Sequence, residues 1–140
     1  MTKALSILLF TLLFLSCEEP TTVDCCVEPA GGAHYYISNK TSTSLKVSFI
    51  TSVELGKEHV DSVSAIETDQ SRRILEDGII GVNPVPSNSF SSFLFIRLSD
   101  SAVFEISEIV DSDWTILSQD FEEGDYGLTE YELEIYDSDF

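Results

Sequence analysis

Apolar and polar residues alternate with a period of two along several short stretches of this chain. Leu45, Val47 and Phe49 alternate with Lys46, Ser48 and Ile50, and Tyr131, Leu133 and Ile135 alternate with Glu132, Glu134 and Tyr136. A period of two places one set of side chains on a buried sheet face and the other towards water. Residues 34–37 are aromatic and β-branched, which favours a strand, and Asn39, Lys40, Thr41 and Ser42 then make a turn. Because Tyr35 and Tyr36 are adjacent, they face opposite sides of that strand, so one points outward. Further short strands are expected at 60–66, 72–75, 93–96, 103–106 and 114–117. The apolar run Phe93, Leu94, Phe95 and Ile96 predicts a strand buried on both faces. Asp77 and Gly78 read as a turn before Ile79 and Ile80. Pro84 and Pro86 make 83–89 a loop, because two prolines at spacing two exclude a central strand. A last turn is expected at 122–127.

No stretch after the first seventeen residues holds a 3.6-residue apolar stripe over three turns. The best helical candidate, 101–109, suits a strand equally well through Val103, Phe104 and Ile106. About seven short strands separated by turns predict an all-β antiparallel sandwich of immunoglobulin or fibronectin III-like architecture over 33–140. A domain of that size can bury a core without disulfides.

The first residues follow a different pattern. Lys3 precedes a predominantly apolar run over 4–15, then Ser16 and Cys17. A spanning helix needs about 20 apolar residues, so the run is too short to cross a bilayer. With no polar face it also fits poorly as a core helix. It reads as the apolar segment of a secretory signal. An ordinary cleavage site would want small residues at −3 and −1 relative to Cys17, and Phe14 at −3 is bulky. The expected organisation is a cleaved signal helix over 1–16, a flexible acidic tether over 17–32 and the sandwich over 33–140. Glu18, Glu19, Pro20 and Asp24, with no periodicity, give the tether its character.

Phe14, Leu15, Ser16 and Cys17 resemble the lipobox of bacterial lipoproteins, with Phe14 where leucine is usual. The resemblance implies that the Cys17 thiol carries a diacylglycerol, that the chain is cut before it and that the new amine is acylated. Each buried acyl methylene contributes about 0.8 kcal/mol, so two or three chains anchor a soluble domain stably. Glu18 and Glu19 directly after the cysteine resemble the surface-export signal of Bacteroidetes-type lipoproteins, which implies the outer face of an outer membrane. The chain as a whole resembles small lipoproteins of that type, a resemblance that brings no activity with it.

Charge narrows the partners. Without 1–16 the chain keeps twenty-five acidic and six basic residues, a net charge of −19. Nucleic acid and a basic-patch contact with anionic lipid are excluded on that ground, while cations and basic partners remain open. Cys25 and Cys26 are adjacent in the tether, and the sandwich has no other cysteine to pair with them. Free thiols, a strained vicinal bridge and an intermolecular bridge all stay open.

The candidate chemistry is sparse. His34 and His59, the two histidines, stand in no motif with a nucleophile or a second ligand. No G-x-S-x-G elbow and no Gly-rich phosphate loop occurs, and no catalytic residue or cofactor is expected. Carboxylates cluster at Asp111 and Asp113 and at Asp120, Glu122, Glu123 and Asp125. Calcium takes six to eight hard oxygens and suits such loops, although EF-hand spacing is not met. Tyr35, Tyr36, Trp114, Tyr126 and Tyr136 are candidates for a sugar or protein platform. Asp61-Ser62-Val63 and Asp100-Ser101-Ala102 resemble the O-glycosylation motif of Bacteroidetes-type exported proteins, which implies glycans on Ser62 and Ser101. Asn39-Lys40-Thr41 has the form of an N-glycosylation sequon and reads as a turn.

Residues 128–136 resemble the tyrosine-corner strand of fibronectin type III domains, in which the tyrosine hydroxyl ties a loop back across the sandwich. In that family another strand follows, and here the chain stops at Phe140. The expected function is a membrane-anchored envelope lipoprotein whose non-enzymatic sandwich binds an envelope protein or glycan. The alternatives are a glycan-processing enzyme or accessory subunit and a calcium-stabilised adhesive module.

Overall fold

The computed structural model describes residues 29–52, 59–121 and 125–140. The signal segment, Cys17, Glu18, Glu19, Cys25, Cys26, Glu122 and Glu123 lie outside the described residues. Eight strands form among the described residues: β1 (Ala30–Asn39), β2 (Leu45–Thr51), β3 (Val60–Ile66), β4 (Ser71–Ile80), β5 (Phe90–Arg97), β6 (Val103–Ile106), β7 (Thr115–Phe121) and β8 (Gly127–Ile135). The chain is thus an all-β sandwich, and each of the eight strands overlaps one of the stretches that the sequence pattern marks. One sheet has the order β4-β1-β8-β7, here called the first sheet, and the other has the order β3-β2-β5-β6. All neighbours are antiparallel except β1 and β8, the first and last strands, which pair in parallel from Gly32 with Leu128 to Asn39 with Ile135. A short helix, α1 (Pro86–Ser89), occupies the proline loop. No helix among the described residues is long and apolar enough to cross a membrane.

The expected alternation sets the core. Leu45, Val47 and Phe49 of β2 and Tyr131, Leu133 and Ile135 of β8 all point inward and are buried. They meet Tyr35, Ile37, Phe90, Phe93, Phe95 and Trp114. Trp114 stacks on Phe90 with ring centroids 5.8 Å apart and planes at 7°, and Tyr35 stacks on Tyr131 at 5.5 Å and 12°. Each such buried ring contributes about 1.5–3 kcal/mol relative to exposure.

Three local expectations change. β4 runs straight through Asp77 and Gly78, which pair with Ala33 and Gly32. β1 begins at Ala30, so the first strand takes up Gly31 and Gly32 at the end of the expected tether. Phe93 and Phe95 of β5 are buried, but Leu94 and Ile96 are only half-buried, because β5's outer face is open to solvent.

The turn reading at Asn39 is confirmed. Asn39 is 0% exposed, and its carboxamide bonds Thr41, Thr43 and Ile66 across the β1–β2 corner. The tyrosine-corner resemblance holds only in part. Tyr131 is a buried inward residue of β8. The hydroxyl that ties a distant segment back is Tyr35's, 2.7 Å from Ser89 Oγ.

Candidate functional site

The outer face of the first sheet carries the densest polar chemistry. His34 on β1 stands between Glu76 of β4 and Glu130 of β8, its register partners on either side. Its Nε2 lies 3.6 Å from Glu76 Oε2, and its Nδ1 lies 3.5 Å from Glu130 Oε1, outside hydrogen-bond geometry. Glu130 accepts hydrogen bonds from Ser118 Oγ at 2.7 Å and from the Tyr36 hydroxyl at 3.0 Å. Those two donors hold its carboxyl below the usual value. Burial and the same Glu130 contact push Tyr36 up.

This cluster has the members of a hydrolytic triad in the wrong order. Ser118 donates to the carboxylate, and the imidazole lies on the carboxylate's other oxygen. Nucleophilic catalysis needs the hydroxyl on the imidazole, so that a base can take its proton. As built, Glu130 ties Ser118, Tyr36 and His34 together across β7, β8 and β1. His59, the second histidine, is exposed beside β3, and its backbone N–H bonds Thr51 Oγ1 at 3.0 Å.

The second feature is the edge formed by β7. Among the described residues, each of the four outer strands leaves one row of backbone N–H and C=O groups without a strand partner, and proteins commonly guard such rows. β6 is only four residues long. β4 carries Arg72, Arg73, Glu76 and Asp77 and a register shift opposite Tyr35 and Tyr36. β3 has a register shift opposite Leu45 and Val47, and Arg72 Nη1 reaches over to bond its Ala65 carbonyl at 3.0 Å. β7 is longer than β6 and carries less charge than β4, though like β3 and β4 it has a register shift. All seven residues are exposed, only Asp120 is charged, and Ile116, Leu117 and Phe121 are 50%, 49% and 44% exposed. Its one irregularity falls at Leu117, after which Ser118 to Phe121 pair in unbroken register with Glu130 to Gly127.

The aromatic candidates do not share a platform. Tyr35 and Trp114 are core residues, and Tyr36 is the outward member of its pair, as expected. Tyr136 is exposed beyond the end of β8, and Tyr126 sits in the β7–β8 turn at the opposite end of the sheet. Tyr126 does line a pocket of about 330 Å³ with Asp120, Gly32 and Leu128. The turn is fixed by Asn83, whose Nδ2 donates to the Asp125 carbonyl at 2.6 Å and whose Oδ1 accepts from Gly127 N–H.

The carboxylate candidates separate. Asp111 accepts from Ser87 N–H at 2.8 Å and Ser87 Oγ at 3.0 Å, which satisfies the start of α1. Asp113 is exposed in the adjoining 3-10 turn, Asp120 lies on β7 and Asp125 is in the β7–β8 turn. Among the described residues, no three His, Cys, Asp or Glu side chains gather into a group that could hold a metal ion. Ser62 is exposed on β3, and Ser101 is exposed in the β5–β6 turn with φ +61°.

The β7 edge was not legible as a site, because strand order decides which strands are edges. A signal was nevertheless present. From Leu98 to Phe140 the sequence holds fourteen Asp and Glu and no Lys or Arg, yet residues 115–119 carry no charge at all. No protein-family model matches the chain, and no curated protein matches it.

Proposed function

We propose that the chain is an envelope lipoprotein, anchored through Cys17 to the outer membrane and facing outward, whose sandwich is a non-enzymatic protein-binding module. The lipobox-like residues 14–17 and the acidic pair Glu18 and Glu19 support the anchor and its orientation. The observation that carries the binding role is the β7 edge, a fully exposed strand with three exposed apolar side chains in an otherwise strongly acidic segment. Apolar side chains concentrated on an exposed edge strand mark an interaction surface or an aggregation hazard.

Two measurements test this. Labelled palmitate should enter the wild-type chain and not Cys17→Ala; equal labelling would remove the anchor. A photo-crosslinking amino acid at Leu117 should give a discrete protein adduct in intact cells, while the same group at Arg72 on the β4 edge should not. Matching patterns at both positions would remove the binding role of β7.

Glycan binding is a second reading, favoured by the placement of Tyr126 and Asp120 in one pocket, since an aromatic ring and a carboxylate together suit a sugar. A glycan array probed with wild type and Tyr126→Ala decides it; no signal lost on substitution ends that reading.

A further inference from the structure

We propose that β7 takes up an extended segment of a cationic partner protein as a fifth strand of the first sheet, and that this segment alternates basic and apolar side chains. The proposal rests on the binding role given above and names the mode and the partner's chemistry.

Strand addition needs a free row of backbone donors and acceptors on a straight stretch of edge. Among the described residues β7 pairs only with β8, and Ser118, Gln119, Asp120 and Phe121 hold unbroken register there. The two faces beside that stretch differ in character. Outward, Ser118 stands opposite Glu130, Thr115 stands opposite Glu132, and Asp120 adds its own carboxylate. Inward, Ile116 stands opposite the buried Tyr131 and Gln119 opposite the buried Thr129, and the exposed ring of Phe121 follows. A strand laid along β7 therefore meets carboxylates with one set of alternate side chains and apolar surface with the other.

Charge decides between occupants. The segment from Leu98 to Phe140, which supplies β6, β7 and β8, has fourteen acidic residues and no Lys or Arg. The described Lys and Arg residues all lie on or beside β1, β2, β4 and β5. A second copy would bring the same uncompensated carboxylates against these, and like charges across an interface oppose association. A basic strand instead pairs with Asp120 and with Glu130, which reaches Ser118 on β7, while its apolar side chains cover Ile116 and Phe121; Glu132 turns the other way, to Ser71 of β4.

The test uses the full chain in a mild nonionic detergent and four capped peptides of about nine residues. The first alternates Lys and Val. The second replaces Lys by Glu, the third scrambles the alternation at equal charge, and the fourth carries N-methyl groups at alternate amides. Hydrogen exchange is read along the chain. The Lys/Val peptide should bind and slow exchange on β7 alone, with affinity falling about tenfold between low and high salt as exposed charges are screened. The Glu, scrambled and N-methyl peptides should each bind at least about tenfold more weakly, a difference of about 1.4 kcal/mol. Leu117→Lys, at an exposed position, should weaken the Lys/Val peptide and leave the melting temperature unchanged.

Equal binding by the N-methyl or scrambled peptide would reduce the effect to charge adsorption and overturn strand addition. Protection on β3 or β4 in place of β7 would overturn the location. A concentration-dependent dimer through β7 without peptide would replace the cationic partner by a second copy. If no peptide binds while the crosslink at Leu117 persists in cells, the binding role stands and this mode fails. Loss of both removes both.

Discussion

The hydroxyl of Tyr35 lies 2.7 Å from Ser89 Oγ, and Ser89 Oγ in turn donates to Asp77 Oδ2 at 2.7 Å. With Asp77 ionised, the chain of donation runs from tyrosine to serine to carboxylate. It joins β1 and β4 of the first sheet to the end of α1, directly before β5 of the other. Ser89 is fully buried, so its loss leaves the Tyr35 hydroxyl and a half-buried carboxylate without their partner. Ser89→Ala should cost about 1–3 kcal/mol, whereas Tyr35→Phe removes one hydrogen bond and leaves Ser89 on Asp77, costing about 0.5–1.5 kcal/mol. Urea unfolding at neutral pH separates the two; equal costs would mean the serine is not the hub.

The same tyrosine predicts an alkaline limit to stability. Burial raises the Tyr35 phenol well above its ordinary 10.0, more than the Ser89 contact lowers it. Burial also raises Tyr131. A group with a raised native pKa contributes fully below its unfolded value. That contribution is lost as pH rises past it, because the unfolded chain ionises first. Stability should therefore fall with pH above about 10, and more gently in Tyr35→Phe. Identical slopes in both proteins would locate the effect elsewhere.

At the opposite end of the sandwich the sign reverses. Arg97 grips Asp100 with two nitrogens, at 3.0 and 2.7 Å, and reaches Asp137 at 3.1 Å, with its guanidinium 5.0 Å from the centre of the Phe140 ring. The Arg97 contact draws the Asp100 carboxyl down to about 2. Burial pushes Asp137 up, but the Ser42 N–H and hydroxyl and Arg97 outweigh it and leave it below its ordinary value. A depressed native pKa gives stability that is present above the unfolded value near 3.8 and lost as pH falls towards 2. These groups are exposed, so the effect is modest. Melting curves from pH 5 to 2 should show wild type above Asp100→Asn at pH 5, the gap closing at the acid end. A gap that stays constant would show that the pair contributes no charge-dependent stability.

How much of this was legible follows from where each signal resides. β2 and β8 declare themselves because each buries one face, so Leu45, Val47, Phe49, Tyr131, Leu133 and Ile135 alternate with polar residues. β4 hides because Asp77 and Gly78 are turn formers locally, while in the fold Asp77 is held by Ser89 and Gly78 faces Gly32. β5 misleads because Leu94 and Ile96 are apolar although their face is open. The parallel pairing of β1 with β8 joins the two ends of the domain and leaves no local trace. It is also what puts Glu130 beside His34 and makes β7 an edge. The candidate site therefore depended on strand order, which alternation does not encode.

Asn39 provides the strictest check on the corner between the sheets. Its Nδ2 donates to the carbonyls of Thr43 and Ile66, each at 2.8 Å. Its Oδ1 accepts from Thr41 N–H at 2.9 Å and Thr41 Oγ1 at 2.8 Å. Two donors and two lone pairs are all used, so the carboxamide is saturated. Asn39→Ala takes the side-chain partner from the Ile66 carbonyl and the Thr41 N–H, while Thr41 Oγ1 and the Thr43 carbonyl keep each other, and should cost about 2–4 kcal/mol. Asn39→Asp keeps both acceptor contacts but sets an oxygen against the carbonyls of Thr43 and Ile66. It should be at least as damaging at pH 7 and partly recover near pH 4, where protonation restores one donor. Thr41→Ser keeps the hydroxyl and should stay within about 1 kcal/mol of wild type. Denaturant midpoints for the three variants at both pH values give the comparison. An Asn39→Asp protein as stable as wild type at pH 7 would mean that the corner is not closed by this carboxamide.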